Sequence, residues 1–153
     1  MMQRMILYLL LLLGAAPFLR VDTTQTIGDW DSVTVAPMKT SIYVGSVTLT
    51  TGVLKRTGDT YSTTYEAKVW PWFFWGETGI ISITLPQSEL EKLARGERVE
   101  FTGAALNHKN KPRKVTGRAD FINGGGGKIK VRISVDDTEV IFNGTYRFDN
   151  AVK

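Results

Sequence analysis

The chain has 153 residues, no cysteine, one histidine and a formal charge of +4. Without cysteine there is no disulfide, no thiolate nucleophile and no cysteine-based zinc site, and a single histidine does not build the usual zinc site either. Nor is the charge a nucleic-acid signature, because setting aside Arg4 and Arg20 of the N-terminal segment leaves 17 basic against 15 acidic residues, an ordinary balance of +2.

The chain starts with a short basic stretch ending at Arg4, runs through residues 5–13 without a charge, and reaches the small residues Gly14, Ala15 and Ala16. That order is the layout of an export signal over residues 1–20. Pro17 obstructs cleavage after Ala16, so an uncleaved anchor is the competing reading. The uncharged run 5–19 is shorter than the roughly 20 residues an untilted membrane span needs, which favours a cleaved signal. No cysteine stands at the cleavage point for a lipid anchor. The expected location is periplasmic or extracellular, or membrane-anchored where the leader stays on. Residues 21–28, with Thr23, Thr24, Thr26 and Gly28, read as a linker. Residues 29–153 then form one domain, enough chain for a sizeable core.

From Asp29 onward the chain is rich in Val, Ile, Thr, Tyr, Phe and Trp, in short runs bounded by Gly, Asn and Asp, the pattern of strands. Ile42 and Val44 share one alternation phase and Val47 and Leu49 the other, which points to a bulge at Gly45. Tyr61, Thr63, Tyr65, Ala67 and Val69 form an apolar face backed by Ser62, Thr64, Glu66 and Lys68, a half-buried strand. Residues 56–60, with Gly58 and Asp59, are the turn that pairs it with the strand before. Residues 80–85 form another strand.

Leu90, Leu93 and Ala94 then change the period to that of a helix, ended by Gly96. Ser88 with Glu91 matches a capping box, with Pro86 as the competing start. Three apolar residues suffice for a helix that plugs one end of a β structure. Four alternating runs close the chain, built on Val99 and Phe101, on Val115 and Ala119, on Ile129, Val131 and Ile133, and on Phe142, Tyr146 and Phe148. Short loops at 107–111, 123–127 and 136–137 join them. Gly103, Ala105, Gly117 and Ala119 put small residues on inward positions, as a tightly curved sheet requires. The expected fold is therefore all-β: an antiparallel meander of about seven or eight strands forming a small barrel or sandwich, with one short helix, preceded by the signal helix.

Trp70, Pro71, Trp72, Phe73, Phe74 and Trp75 are the strongest candidates for a site, since one core does not take so many rings from one strand. Continuing the alternation from Val69 sends Pro71, Phe73 and Trp75 inward and Trp70, Trp72 and Phe74 toward solvent, with Pro71 marking an edge or a bend. Exposed indoles suit a sugar ring, a membrane interface or an apolar partner. Lys109, Lys111, Arg113, Lys114 and Arg118 make a basic run across a hairpin tip, read as a solvated loop rather than a nucleic-acid surface and compatible with anionic headgroups. The glycine run 124–127 precedes a strand, so it is a hairpin loop and not a phosphate cradle. His108 sits among positive charges, a poor place for a general base. Asp29 with Asp31, and Asp136 with Asp137, are the carboxylate pairs open to calcium or acid–base work, each also explained by turn or edge chemistry.

Residues 106–115, with His108, Lys111 and Pro112 ahead of a strand, resemble a turn of the YceI-like periplasmic lipocalin-type barrels, which hold isoprenoid-like lipids. The resemblance covers this one turn, implies lipid binding and transfers no residue roles. The resulting expectation is an exported, non-enzymatic β domain with Trp70, Trp72, Phe74 and Trp75 as ligand-binding residues. It needs no cofactor or metal. Its partner is an apolar small molecule, lipid or glycan, an envelope surface or another protein, with peripheral membrane contact open to the same rings and no nucleic acid. The alternatives are a small secreted hydrolase using an aspartate pair and a purely structural envelope protein.

Overall fold

The computed structural model describes residues 28–149. The leader and all of the linker but Gly28 lie outside the described residues. The strands are β1 (Ser32–Val35), β2 (Met38–Ile42), β3 (Gly45–Thr51), β4 (Leu54–Thr57), β5 (Thr60–Trp70), β6 (Glu77–Thr84), β7 (Val99–Asn107), β8 (Pro112–Asn123), β9 (Gly126–Val135) and β10 (Thr138–Asp149). A single helix, α1 (Gln87–Ala94), stands between β6 and β7.

Eight antiparallel strands close into a barrel in the order β1, β4, β5, β6, β7, β8, β9, β10 and back to β1, and β2 and β3 are additions to it. The period-2 patterns build it directly. Val99, Phe101 and Ala105, Val115 and Ala119, Ile129, Val131 and Ile133, and Phe142, Tyr146 and Phe148 are all buried inside. The outer face carries charged and polar residues such as Thr64, Lys68, Glu100, Lys114, Arg118 and Arg147, the inverse of the apolar belt of a membrane-spanning barrel. No helix among the described residues is long and apolar enough to cross a membrane. Phe101 faces Gly117 across β7 and β8, and a side chain at Gly117 would collide with its ring. The small residue there is space for an aromatic, which is how the sheet curves without leaving a void.

One end of the barrel is sealed. Leu90 and Leu93 of α1 are fully buried beneath it, and Trp30 stacks on Phe148 with ring centres 4.3 Å apart. The Tyr61 hydroxyl donates to the Trp30 carbonyl at 2.6 Å, and burial pushes this phenol up to about 12, so it stays a donor. The helix starts after Pro86, with no side-chain cap. The Ser88 capping box is therefore not formed, because the fixed backbone of Pro86 sets the start two residues earlier. Gly96 ends it with a φ of +85°.

Two further expectations are corrected. Gly45 is not a bulge within a strand: β2 and β3 form a hairpin around Tyr43 and Val44, with Ile42 opposite Gly45. The change of alternation phase there marks a reversal of the chain. A side chain at Gly45 would run into the Trp70 carbonyl, so glycine is what lets β3 lie against the end of β5. The aromatic run is not a strand either. β5 ends at Trp70, and residues 71–76 leave the sheet, with Phe73–Trp75 in one 3-10 turn. Pro71 cannot donate to the ladder and stops the alternation.

Candidate functional site

At the other end the barrel is open. The turns 43–44, 71–76, 108–111 and 136–137 ring its mouth, because consecutive antiparallel strands place alternate connections at the same end. Below them lies a cavity of about 400 Å³ lined by Ile42, Val47, Leu49, Tyr65, Ala67, Val69, Ile133, Val135, Val140 and Phe142, with Trp75 and Val44 toward the rim. The lining is almost wholly aliphatic or aromatic, and its size falls within the roughly 300–1,000 Å³ of small-molecule sites.

The wall of this cavity is split. β1 pairs with β10 as far as Val35 opposite Tyr146, and the Ala36 amide still donates to the Thr145 carbonyl at 3.0 Å. Pro37 has no N–H to continue the ladder. Beyond it, among the described residues, β2 hydrogen-bonds only to β3, which is itself held by β5. Met38 keeps β2 close by packing where a side chain on Gly144 would sit. Above that contact a groove separates Thr40, Ser41, Ile42 and Tyr43 from Thr138, Glu139, Val140 and Ile141. Around the cavity the barrel is thus closed by side chains alone along one seam.

The opposite side of the mouth is polar and buried, its groups bonded to one another with the exception of Arg113 Nε, which has no partner among the described residues. Arg113, only 7 % exposed, donates from Nη2 to Glu77 Oε2 at 3.1 Å and from Nη1 to Asp136 Oδ1 at 3.2 Å. Asn107 Nδ2 donates to the same Glu77 oxygen at 3.1 Å, and the Tyr65 hydroxyl donates to Oε1 at 2.8 Å. Burial by itself raises the Glu77 carboxyl, but the hydrogen bonds from Arg113, Asn107 and Tyr65 together outweigh it, so the group lies below its ordinary value. Asn107 Oδ1 accepts from the amides of Lys109 and Lys111, both at 2.9 Å, and so fixes the β7–β8 turn.

Arg113 thus corrects the reading of the basic run as a solvated loop. Lys109, Lys111, Lys114 and Arg118 are exposed as expected, whereas Arg113 points into the barrel. The missed signal was parity. Arg113 continues the inward face of Val115 and Ala119, Asn107 that of Phe101 and Ala105, and Glu77 that of Ile81.

The aromatic residues gather at the rim. Phe73 is 82 % exposed, Trp70, Phe74 and Trp75 are also largely outside, and Trp72 is 41 % exposed. The inward assignment of Phe73 is overturned, and Pro71 is exposed as well. Trp75 alone of the six lines the apolar cavity. The rings pack on one another, Trp72 with Phe74 at 6.1 Å and with Trp75 at 5.8 Å, Phe74 with Phe73 and Trp75 at 5.8 Å each. Trp72 Nε1 donates to the Val44 carbonyl at 3.1 Å, tying this connection to the β2–β3 turn.

The carboxylate pairs are placed apart. Asp29 lies at the sealed end, 3.3 Å from Arg56. Asp136 holds Arg113 at the mouth, in a left-handed turn position with φ of +52°. His108 takes part in the turn, its amide donating to the Thr78 carbonyl at 2.7 Å. Among the described residues no three His, Cys, Asp or Glu side chains converge as metal ligands. Comparison of the chain with protein-family models, curated proteins and solved structures finds no match.

Proposed function

We infer that the protein is an exported, non-enzymatic barrel that carries one elongated apolar molecule in its open-ended cavity. The observation that carries this reading is the cavity itself: an aliphatic and aromatic interior left unfilled at one end of a barrel that is tightly plugged at the other. An unfilled apolar space of this size is costly to a folded chain and is best accounted for by an occupant. Glu77, Asp136, Thr138 and the tyrosines Tyr43 and Tyr65 carry the polar groups of its lining, with Glu77 already bonded to Tyr65 and Arg113. The fitting occupant is therefore a hydrocarbon chain with at most one small polar end, a lipid rather than a glycan. Trp75 forms the lip, and Trp70, Trp72 and Phe74 stand around it as the outer part of the same site. Export follows from the basic, apolar, small order of the first residues.

Titration with phenylnaphthylamine, followed by its emission, tests the reading. Saturable binding displaced by a long-chain fatty acid is expected. A flat titration, or one that the fatty acid does not compete, overturns it.

The seam between β2 and β10 is the route by which such a chain enters sideways, with the β2–β3 hairpin swinging on β5. The protein has no cysteine of its own, so Ser41→Cys with Ile141→Cys, bridged by a short bis-maleimide, locks the seam selectively. Uptake of the probe should slow markedly while the affinity reached at equilibrium stays the same. Unchanged uptake in the bridged protein means that the ligand passes through the mouth instead.

A further inference from the structure

We propose that the aromatic rim is a docking surface for the interface of an anionic lipid bilayer, which brings the cavity mouth against the membrane. The proposal rests on the reading of the cavity as a site for an apolar chain and adds where that chain is taken up or delivered.

Three observations carry it. The first is the shape of the patch. Phe73, Phe74, Trp70 and Trp72 protrude from the end of the barrel, joined through Trp72 to the exposed Tyr43 and Val44 of the next turn. A projecting tip of rings enters a soft medium more readily than it matches a rigid partner, and indoles are at home at headgroup depth, where the ring is apolar and the N–H finds an acceptor.

The second is charge. Lys39, Lys68 and His108 share an outer groove with Trp70 and Phe73, and Lys109 and Lys111 stand on the same turn as His108. Lys68 is paired with Glu66, whereas Lys39, Lys109 and Lys111 have no ion pair among the described residues. At the same end Arg113 is shared between Glu77 and Asp136, which leaves one negative charge of that trio and Asp137 set against the three lysines. Such a rim attracts anionic headgroups.

The third is continuity. Trp75 lines the cavity and also packs on Trp72 and Phe74. Insertion of those rings therefore brings the mouth to the level of the acyl chains together with the upper end of the seam, where Tyr43 and Thr138 border both groove and cavity, so a lipid tail passes from bilayer to barrel through the seam without crossing water. Gly28, the first described residue, packs against α1 at the sealed end, the end remote from the rings.

The test uses vesicles of phosphatidylcholine alone and of phosphatidylcholine mixed with phosphatidylglycerol, with binding read by flotation and by the blue shift of tryptophan emission. To separate any vesicle binding by the apolar leader from that of the rings, the variants are compared both in the full chain and in a chain beginning at Gly28, whose barrel closes on contacts of its own. The chain from Gly28 should bind the phosphatidylglycerol vesicles in a salt-sensitive manner. Phe73→Ser with Phe74→Ser should lower its partitioning by at least about tenfold, since two rings no longer leave water. Lys109→Glu with Lys111→Glu should remove the preference for the anionic vesicles. Both residue pairs are exposed, so thermal melts should match the wild type, and the lysine substitutions, which lie outside the cavity lining, should also leave phenylnaphthylamine binding in solution unchanged.

Failure of the wild type to bind vesicles, or binding indifferent to the ring substitutions, overturns the proposal. So does a concentration-dependent dimer that the ring substitutions abolish, which would make the rim a contact between two copies of the chain. Vesicle binding without probe binding in solution would leave the docking surface standing and remove the cavity reading. Probe binding without vesicle binding would do the reverse.

Discussion

Arg113→Met is expected to destabilise the fold by about 3–5 kcal/mol at neutral pH, the cost of leaving a buried charge without its partner. Methionine fills a similar volume, so the loss does not come from a cavity. It comes from Glu77, whose carboxylate keeps its bonds from Asn107 and Tyr65 but loses its cationic partner among the described residues. The pH dependence separates this cause from simple packing. In the wild type Glu77 is held below its unfolded value of about 4.3, so its contribution to stability is present above that pH and is lost as pH falls through the folded value. In the variant Arg113 no longer opposes the burial, so the Glu77 carboxyl moves up from its wild-type value and acidification relieves part of the penalty. Urea denaturation of both proteins at neutral pH and at mildly acid pH measures the difference. A penalty that does not shrink in acid would mean that packing, not charge, was lost. Glu77→Leu combined with Arg113→Met should recover most of the stability, because replacing a whole buried pair by apolar groups is often close to neutral.

Leu93→Ala is the second large effect, at about 2–5 kcal/mol. Leu93 is fully buried where α1 closes the barrel, and it borders a small residual void of about 40 Å³ shared with Leu54, Tyr61, Phe101 and Phe148. The surrounding strands are held by their ladders and do not collapse into the space that alanine leaves, so the upper half of that range is expected. Chemical denaturation followed by circular dichroism measures it. A loss below about 1 kcal/mol would show that α1 is a surface ornament and that the sealed end is held by Trp30 and Phe148 alone.

How much of this was legible in the sequence follows from which interactions are local. Alternation exposes strands wherever one face is apolar, so β5 and the long strands from β7 to β10 were read with their inward residues correct. The plugging helix was equally plain, since Leu90 and Leu93 break the strand period. Arg113, Asn107 and Glu77 were not read as interior because a polar residue on an apolar face looks like an error in the pattern until its partners are known. Those partners lie on three different strands, as much as 36 positions apart in the chain. The rings stand out in the sequence as a candidate site, but they are placed there by an alternation that Pro71 has already ended. The seam leaves no local mark beyond Pro37, because it consists of two strands that fail to pair.

The most direct test of the account is the affinity of Ala67→Trp for phenylnaphthylamine, measured beside the wild type. Ala67 lines the cavity between Tyr65 and Val69 on the inward face of β5, where an indole fills space that a ligand would otherwise occupy. Because it enters a void rather than a packed core, the substitution should leave the melting temperature unchanged or higher. The account predicts saturable binding to the wild type and a loss of at least about tenfold in the variant, equivalent to roughly 1.4 kcal/mol. Equal affinity in the two proteins would place the probe outside the barrel and contradict the claim that the cavity is the binding site.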